Sequence, residues 1–458
     1  GRSPVQGCWP QTSAPGIYYP GKGVNLMKNN NSSYKEAVEY LYSLQKYGIK
    51  FGLSKTSNIL DAFGNPHHGQ HYIHIAGTNG KGSVAAMLES ILMKSGLKVG
   101  FYCSPHLVRF TERFRINREE MPQEIARDII LELRDIINPK HPPTFFEVTT
   151  AMALIYFVRQ KTDIAIMEVG MGGRLDATNV IDPLVSVITG IALDHQFFLG
   201  SHIIDIAREK AGIIKQGVDL VTAEKRPFVF KLFENICKEK NARFWRVGRD
   251  IRYRRTPSGL NYYGLKRTLR HLELSLKGRF QNRNATLALA VSELLEKKGF
   301  RISSEDIADG LKHISWPGRL QVVGEKPLIV LDGGHNPNAV KEMTDSIVRE
   351  FQYRQLILII GIMEDKDIKE IIQSAVTIAD YVIYTKPDYY RSADPITLER
   401  STEDMKKPGE IIPSISDAIK KALKIATSQD MILITGSLFT VGEALICIDP
   451  NKYRSDGF

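Results

Sequence analysis

Apolar positions along this chain follow two alternating periods. Ala37, Val38, Leu41 and Leu44 recur at i, i+1, i+4 and i+7, and Gly48 follows, so the spacing predicts a helix over 34–47. From His71 the pattern becomes short apolar run, glycine loop, amphipathic segment. Strands are predicted at His71–Ala76, Lys98–Tyr102, Asp163–Val169 and Leu184–Leu193, with helices at Ser83–Lys94 and Phe146–Val158. Residues 243–275 interrupt this rhythm with short Arg- and Tyr-rich strands around Thr256-Pro257-Ser258-Gly259, which reads as a hairpin-like insertion. Helix resumes at Arg283–Lys297. After Trp316-Pro317-Gly318-Arg319 a second series begins, with strands at Leu328–Leu331, Leu356–Gly361, Asp380–Tyr384 and Met431–Thr435. Such alternation predicts the α/β class: a P-loop-type parallel-sheet domain over 27–318 and a smaller Rossmann-like α/β domain over 319–458.

Composition narrows the class. The 458 residues are 43% hydrophobic and 24% charged, the proportions of an ordinary globular protein. The longest apolar runs, Ala151–Val158 and Leu356–Ile360, fall far short of the ~18 residues a membrane span needs, so no membrane partner is expected. Cys8, Cys103, Cys237 and Cys447 are scattered with no C-x-x-C, which argues against a disulfide framework or cysteine-rich zinc site and fits a reducing cytoplasm. Residues 1–26 contain no acids, do not start with Met and lack a signal-peptide apolar core. They read as a leader or disordered tail, with Met27 a natural start and an ordered arm the alternative. The net charge of +10 suits nucleic acid or small polyanionic substrates.

The sharpest local signal is His74-Ile75-Ala76-Gly77-Thr78-Asn79-Gly80-Lys81-Gly82-Ser83, placed between a predicted strand and a predicted helix. Glycines let backbone N–H groups approach phosphate, the helix N-terminus adds positive potential, and Lys81 adds a point charge. The spacing departs from the common Walker loop, which wants Gly at Ile75 and Ser or Thr at Gly82. The plain alternative is a glycine turn without a ligand. Two other clusters have weaker claims. His67, His68, His71 and His74 straddle a turn and both faces of a strand, poor geometry for a metal. From Arg246 to Arg270 lie eight basic residues and one acid among tyrosines. This reads as a solvated face, with binding of nucleic acid or of an acidic tail as alternatives.

Gly77–Ser83 resembles the ATP loop of the Mur ligase superfamily, in its folate branch of folylpolyglutamate and dihydrofolate synthases. Tyr102-Cys103-Ser104-Pro105-His106-Leu107 is similar to that branch's Ser-Pro-His loop. The run from Glu168 through Gly172-Gly173-Arg174-Leu175-Asp176-Ala177-Thr178-Asn179 is similar to its most distinctive block. Arg208–Ile213, Pro317–Arg319 and Asp332-Gly333-Gly334-His335-Asn336-Pro337 follow in family order, so the likeness spans about 34–445. The chain departs from the pattern at Gln196-Phe197-Phe198, where Thr-Asp usually follows Asp-His, at Phe280 for a common His, and at Gly334 for a frequent Ala.

The resemblance implies an ATP-dependent ligase for (tetrahydro)folate and/or dihydropteroate in one-carbon metabolism. Its substrate carboxylate is phosphorylated and the acyl phosphate is attacked by L-glutamate's amine. Rival readings are a peptidoglycan-type Mur ligase and a basic ATP-dependent nucleic-acid-binding module. The resemblance implies ATP contacts at Thr78, Asn79, Gly80, Lys81, Gly82, Ser83, Asn284, Arg319 and Asp332. It implies two magnesium ions held by Ser104, Glu168, His195 and Lys210, with Lys210 carbamylated. Lys81, Lys210 and His335 carry the catalytic expectation. The substrate walls implied are Ile49, Lys50, Phe51, Phe145, Phe146, Glu147, Leu175, Asp176 and Ala177 for the pterin, with His335 and Ser437 on the glutamate side. Plain alternatives stand beside these: a Glu168–Arg174 ion pair, Lys210 paired with phosphate or Glu209, His195 as a strand-edge residue, and Arg319 and Asn284 as surface ion pair and helix cap. Ser437 as an N-cap and Phe146 as core complete them. The expected partners are small molecules only, with no nucleic acid, and the expected state is a monomer.

Overall fold

Short runs rich in Ile, Val and Tyr assemble a first sheet from β1 (Tyr72–Ala76), β2 (Val99–Tyr102), β3 (Phe114–Ile116), β4 (Glu119–Glu120), β5 (Ile164–Glu168), β6 (Val185–Ile188), β7 (Asp219–Thr222) and β8 (Phe244–Arg246). The computed structural model describes residues 33–48 and 50–456. The predicted leader, Cys8, Met27 and Ile49 lie outside them. The strand order is β4-β3-β2-β5-β1-β6-β7-β8; β2 to β8 run parallel, and β3 and β4 add an antiparallel margin.

Period-2 alternation sorts the side chains into two layers. Ile73, Ile75, Ile164, Ile166, Val185 and Val187 pack with the helices Lys81–Lys94 and Gln281–Lys297. Tyr72, Ala165 and Met167 pack with Phe145–Arg159, which is apolar all round because Tyr34–Ser43 and Gln123–Ile136 cover its outer side. That core helix starts at a capping box in which Thr144 and Glu147 satisfy each other's backbone N–H groups.

The insertion is a three-stranded antiparallel sheet of β9 (Arg252–Thr256), β10 (Gly259–Tyr263) and β11 (Thr268–Leu272), while β8 joins the large sheet instead. The second sheet comprises β12 (Gln321–Glu325), β13 (Leu328–Asp332), β14 (Leu356–Ile360), β15 (Tyr381–Tyr384), β16 (Gly409–Ile411) and β17 (Met431–Thr435), in the order β12-β13-β17-β14-β15-β16. Only β12 is antiparallel. β12 and β16 escape the apolar pattern because they are edge strands, short or half-exposed.

One predicted strand is too long. β6 stops at Ile188 rather than Leu193, because Thr189 turns its hydroxyl onto Asn79 O (2.6 Å) and Ile191 N–H goes to Glu224 rather than to a neighbouring strand. His195 therefore sits in a loop and does not end a strand.

The helices Lys81–Lys94 and Ser304–Lys312 meet at Gly310, where an added Cβ would lie 2.7 Å from Ile91 Cα. Backbone cannot yield as a side chain can. Gly310→Ala should lower unfolding free energy by about 1–3 kcal/mol despite alanine's better helix propensity, read by urea denaturation.

Candidate active site

Six cleft-forming segments leave the carboxyl edges of the two sheets, where open α/β sheets place ligands. Gly77 follows β1 with φ 147, and a Cβ there would overlap Thr189 Oγ1, so only glycine lets the loop lie against the exit of β6. Thr78 pins the same junction: its N–H donates to Gly190 O (2.8 Å), and its hydroxyl donates to Ala192 O (3.1 Å) and accepts from Ala192 N–H (2.9 Å). Gly80, left-handed, opens the helix Lys81–Lys94.

Two lysines converge on this loop. Lys81 Nζ donates to Gly77 O (3.2 Å) and Thr78 O (3.3 Å), and Lys210 Nζ, from the helix Ile203–Ala211, donates to Gly77 O (3.0 Å). Burial, reinforced by the charge of Lys81, pushes Lys210 down to about 7. Glu168 ends β5, buried. Burial raises its carboxyl above the usual range against the pull of Lys81, Arg319 and the Ser104 N–H. The alternative Glu168–Arg174 pair does not form, because Arg174 binds Glu209 (2.9 Å), which also removes Glu209 as a partner for Lys210.

The second sheet supplies the opposite wall. Asp332 ends β13 and accepts from Leu320 N–H (3.0 Å) and Gly334 N–H (2.8 Å); burial raises it, and Arg319 opposes. His335 Nδ1 lies 3.0 Å from Gly333 O. Asn284 is inside the helix Gln281–Lys297 rather than capping it. Its Nδ2 donates to Gln281 Oε1 (2.9 Å), and its Oδ1 closes over Gly80.

The cleft, about 1080 Å³ counting its solvent-filled mouth, brings together Thr78 to Ser83, Ser104, Glu168, His195, Lys210, Asn284, Arg319, Asp332 and His335. His195, left-handed at φ 51, begins the short helix Gln196–Leu199. Desolvation, aided by Lys366 and His335 and opposed by Asp194, pushes its imidazole down to about 4. Among the described residues, no group of three His, Cys, Asp or Glu side chains is placed to hold a metal ion. The oxygen donors Ser83, Ser104 and Glu168, with a buried carboxylate in no ion pair among the described residues, fit a hard cation completed by phosphate oxygens.

The expected pterin walls are arranged differently. Phe146 presses its ring against Gly170 on the cleft wall. Phe145 is core instead, stacked on Tyr42 (5.5 Å, 5°), and the Glu147 carboxylate is spent on the helix cap. Asp176 is buried among Met171 N–H (2.9 Å), Thr178 N–H (3.0 Å) and the Thr178 hydroxyl (2.5 Å), and burial raises its pKa. Leu175 O accepts from Gly52 N–H (3.3 Å), which ties Lys50 and Phe51 to Leu175–Ala177. Ser437 is an N-cap, accepting from Thr440 N–H (3.0 Å) beside the cleft residue Leu438.

Sequence reasoning missed the ion pair across the cleft. Asp194 accepts from Lys366 Nζ (2.9 Å), and His335 Nε2 lies 3.7 Å away. Burial works against Asp194's charge, but His335, His195 and Lys366 outweigh it and hold the carboxyl well below the usual range. The available signal was Glu364-Asp365-Lys366-Asp367, a charged run just after the apolar β14. The other clusters dissolve: the His67 and His68 rings touch at 4.3 Å, while His74 binds Thr178 (2.8 Å) and His71 meets Phe300. Part of the basic segment is paired with acids on neighbouring helices, Arg255 with Glu350 and Arg267 with Glu296.

Two family models match the chain: Mur ligase middle domain over 75–292 and Mur ligase, glutamate ligase domain over 318–438. A Haloferax volcanii protein named "probable bifunctional folylpolyglutamate synthase/dihydropteroate synthase" is 33% identical over 90% of this chain, which spans 50% of that relative's length. Escherichia coli FolC, solved in complex with DHPP and ADP, superposes with a TM-score of 0.84 at 33% identity, covering 92% of this chain and 99% of that one. A bifunctional folylpolyglutamate synthase/dihydrofolate synthase from Yersinia pestis, solved with AMPPNP and Mn ion, superposes with a TM-score of 0.81 at 31% identity, covering 91% of this chain and 98% of that one.

The Lys210 shift sets a pH dependence. A lysine lowered from 10.5 to about 7 opposes folding fully below pH 7, and that penalty disappears as pH rises from 7 to 10.5, where the unfolded chain binds the extra proton. Lys210→Met should therefore be more stable than wild type at pH 6, with the gain shrinking steadily toward pH 10 in denaturant titrations.

Proposed function

The chain belongs to the folylpolyglutamate/dihydrofolate synthase family of Mur ligases, ATP-dependent ligases, and from that premise we propose that it joins L-glutamate to (tetrahydro)folate and/or dihydropteroate through an acyl phosphate, forming ADP and phosphate. The observation that carries this reading is the facing of two sheet edges across one cleft: the Gly77 loop with Lys81 on one side, and Arg319, Asp332 and His335 on the other.

In this reading the backbone of Thr78 to Ser83 and the helix N-terminus hold the ATP phosphates, Lys81 and Arg319 neutralise them, and Asn284 faces the base. The acceptor's carboxylate lies in line with the γ-phosphate, its ring system against Phe146, Phe51, Lys50 and Leu175–Ala177. Glu168, Ser83 and Ser104 would hold one magnesium ion; His195 and Lys210 would hold a second once neutral Lys210 has captured carbon dioxide and lost a proton to become a carbamate. Magnesium, when bound, neutralises charge on the transferring phosphoryl group. His335 and Ser437 serve the glutamate side, where the deprotonated amine attacks the acyl phosphate. Asp332 anchors Leu320 and Gly334, which keeps Arg319 and His335 aimed into the cleft. The buried Cys103 and Cys237 thiols accord with a cytoplasmic enzyme, which we take to act as a monomer on small molecules.

Phosphate release should require ATP, glutamate and a pteroate derivative together; glutamate-dependent turnover without any pteroate would overturn the acceptor assignment. Glu168→Gln should slow turnover by at least ~100-fold and weaken its magnesium dependence. An unchanged magnesium titration would remove Glu168 from the metal. Lys210→Ala should be nearly inactive and regain part of its rate with small carboxylic acids, which place two oxygens where the carbamate would sit. Rescue by amines alone would instead point to a cationic lysine.

A further inference from the structure

Beside Phe51, an expected pterin wall, the largest apolar exposure near the cleft is aromatic. Phe197 is 90% exposed, Phe51 43% and Phe198 39%, and Leu193 beside them is 42% exposed. These are not scattered. The Phe197 and Phe198 rings lie 5.0 Å apart at 86°, and Phe198 meets Phe51 edge-on at 6.1 Å and 67°.

Their mounting ties them to the cleft. The four-residue helix Gln196–Leu199 starts at His195 and ends at Leu199, and both of these residues line the cleft. Gly52 N–H donates to Leu175 O, so Phe51 is fixed to the segment that leads into Asp176. Leu199 is buried and approaches the Gly172 backbone, which roots the helix in the same glycine-rich segment. Apart from its edge contact with Phe198, Phe197 packs on no other ring among the described residues. Leaving one large apolar ring in water at the mouth of a polar cleft costs free energy that a bound aromatic would recover. The position also coincides with Gln196-Phe197-Phe198, where the chain departs from the family pattern.

We propose that Phe197 and Phe198, with Phe51, form an aromatic clamp at the cleft mouth that stacks on the fused heteroaromatic ring of the acceptor and sets its affinity. The clamp rests on the acceptor reading given above and specifies which residues grip the ring. It acts on binding only: it lies outside the phosphoryl-transfer machinery, so it shifts the acceptor's KM and leaves the chemical step alone.

The test uses the full chain and measures glutamate-dependent phosphate release with dihydropteroate and with tetrahydrofolate as acceptors. Phe197→Ser should raise acceptor KM about tenfold while kcat and KM for ATP stay within twofold. Phe197→Tyr, which keeps the ring, should restore KM; Phe197→Leu, apolar without a ring, should restore less. An unaltered thermal midpoint checks that the exposed site carries no fold role, and Phe198→Leu provides a second variant that keeps the helix apolar. Normal acceptor KM in both Phe197→Ser and Phe198→Leu would overturn the clamp, with the ligase reading intact. Full rescue by Leu would overturn stacking. Loss of a concentration-dependent dimer in Phe197→Ser, with KM unchanged, would assign the rings to a second copy of the chain and also overturn it. Absence of turnover in the wild type with every pteroate would instead defeat the acceptor reading itself.

Discussion

Lys81 and Lys210 both donate to the carbonyl of Gly77. Burial pushes the Lys210 ammonium down to about 7, and the like charge of Lys81 at the same carbonyl adds to the effect. The rest of the site is referenced to that carbonyl. Gly77 reaches it only with a left-handed φ and no Cβ, because Thr189 occupies the space. Thr189 in turn holds Asn79, and Thr78 holds Ala192, so the exit of β6 sets the height of the loop. The same cationic neighbourhood opposes the burial-driven rise of Glu168.

Across the cleft the two sheets are joined by polar groups. Asn79 and Asn336 exchange hydrogen bonds at 3.1 and 2.8 Å, Asn79 also reaches Asn338 (3.1 Å), and Asp194 meets Lys366. Apolar contact joins them as well: Leu107 packs against the core on one face of the second sheet, and Phe280, which lines the cleft, against the core on the other. Asp194 belongs both to the polar contact and to the cleft lining, so the junction of the halves and the site share a side chain.

Sequence and structure agree most closely where local chemistry is self-sufficient. The Gly77–Ser83 loop, the acid at the end of β5 and Asp332 at the end of β13 each follow an apolar strand, and each reaches the cleft. Agreement fails where a side chain's role is chosen by neighbours distant in sequence. Phe145 and Phe146 are adjacent and chemically identical, yet one stacks on Tyr42 in the core and the other reaches Gly170 at the cleft. The plain reading pairs Arg174 with Glu168, and packing of the helix Ile203–Ala211 gives it Glu209 instead.

Periodicity alone determined that this chain forms two mostly parallel sheets covered by helices, because alternation of apolar residues acts within one strand or one turn and needs no partner. It also marked the phosphate loop, since glycine spacing beside a strand is itself the geometric requirement. Tertiary structure decided the charge state of Lys210, the pairing of Asp194 with Lys366, the exposure of Phe197 and the early end of β6. Each depends on what lies across space: burial, a like charge, an opposing sheet edge. Those quantities exist only once segments hundreds of residues apart share one cleft.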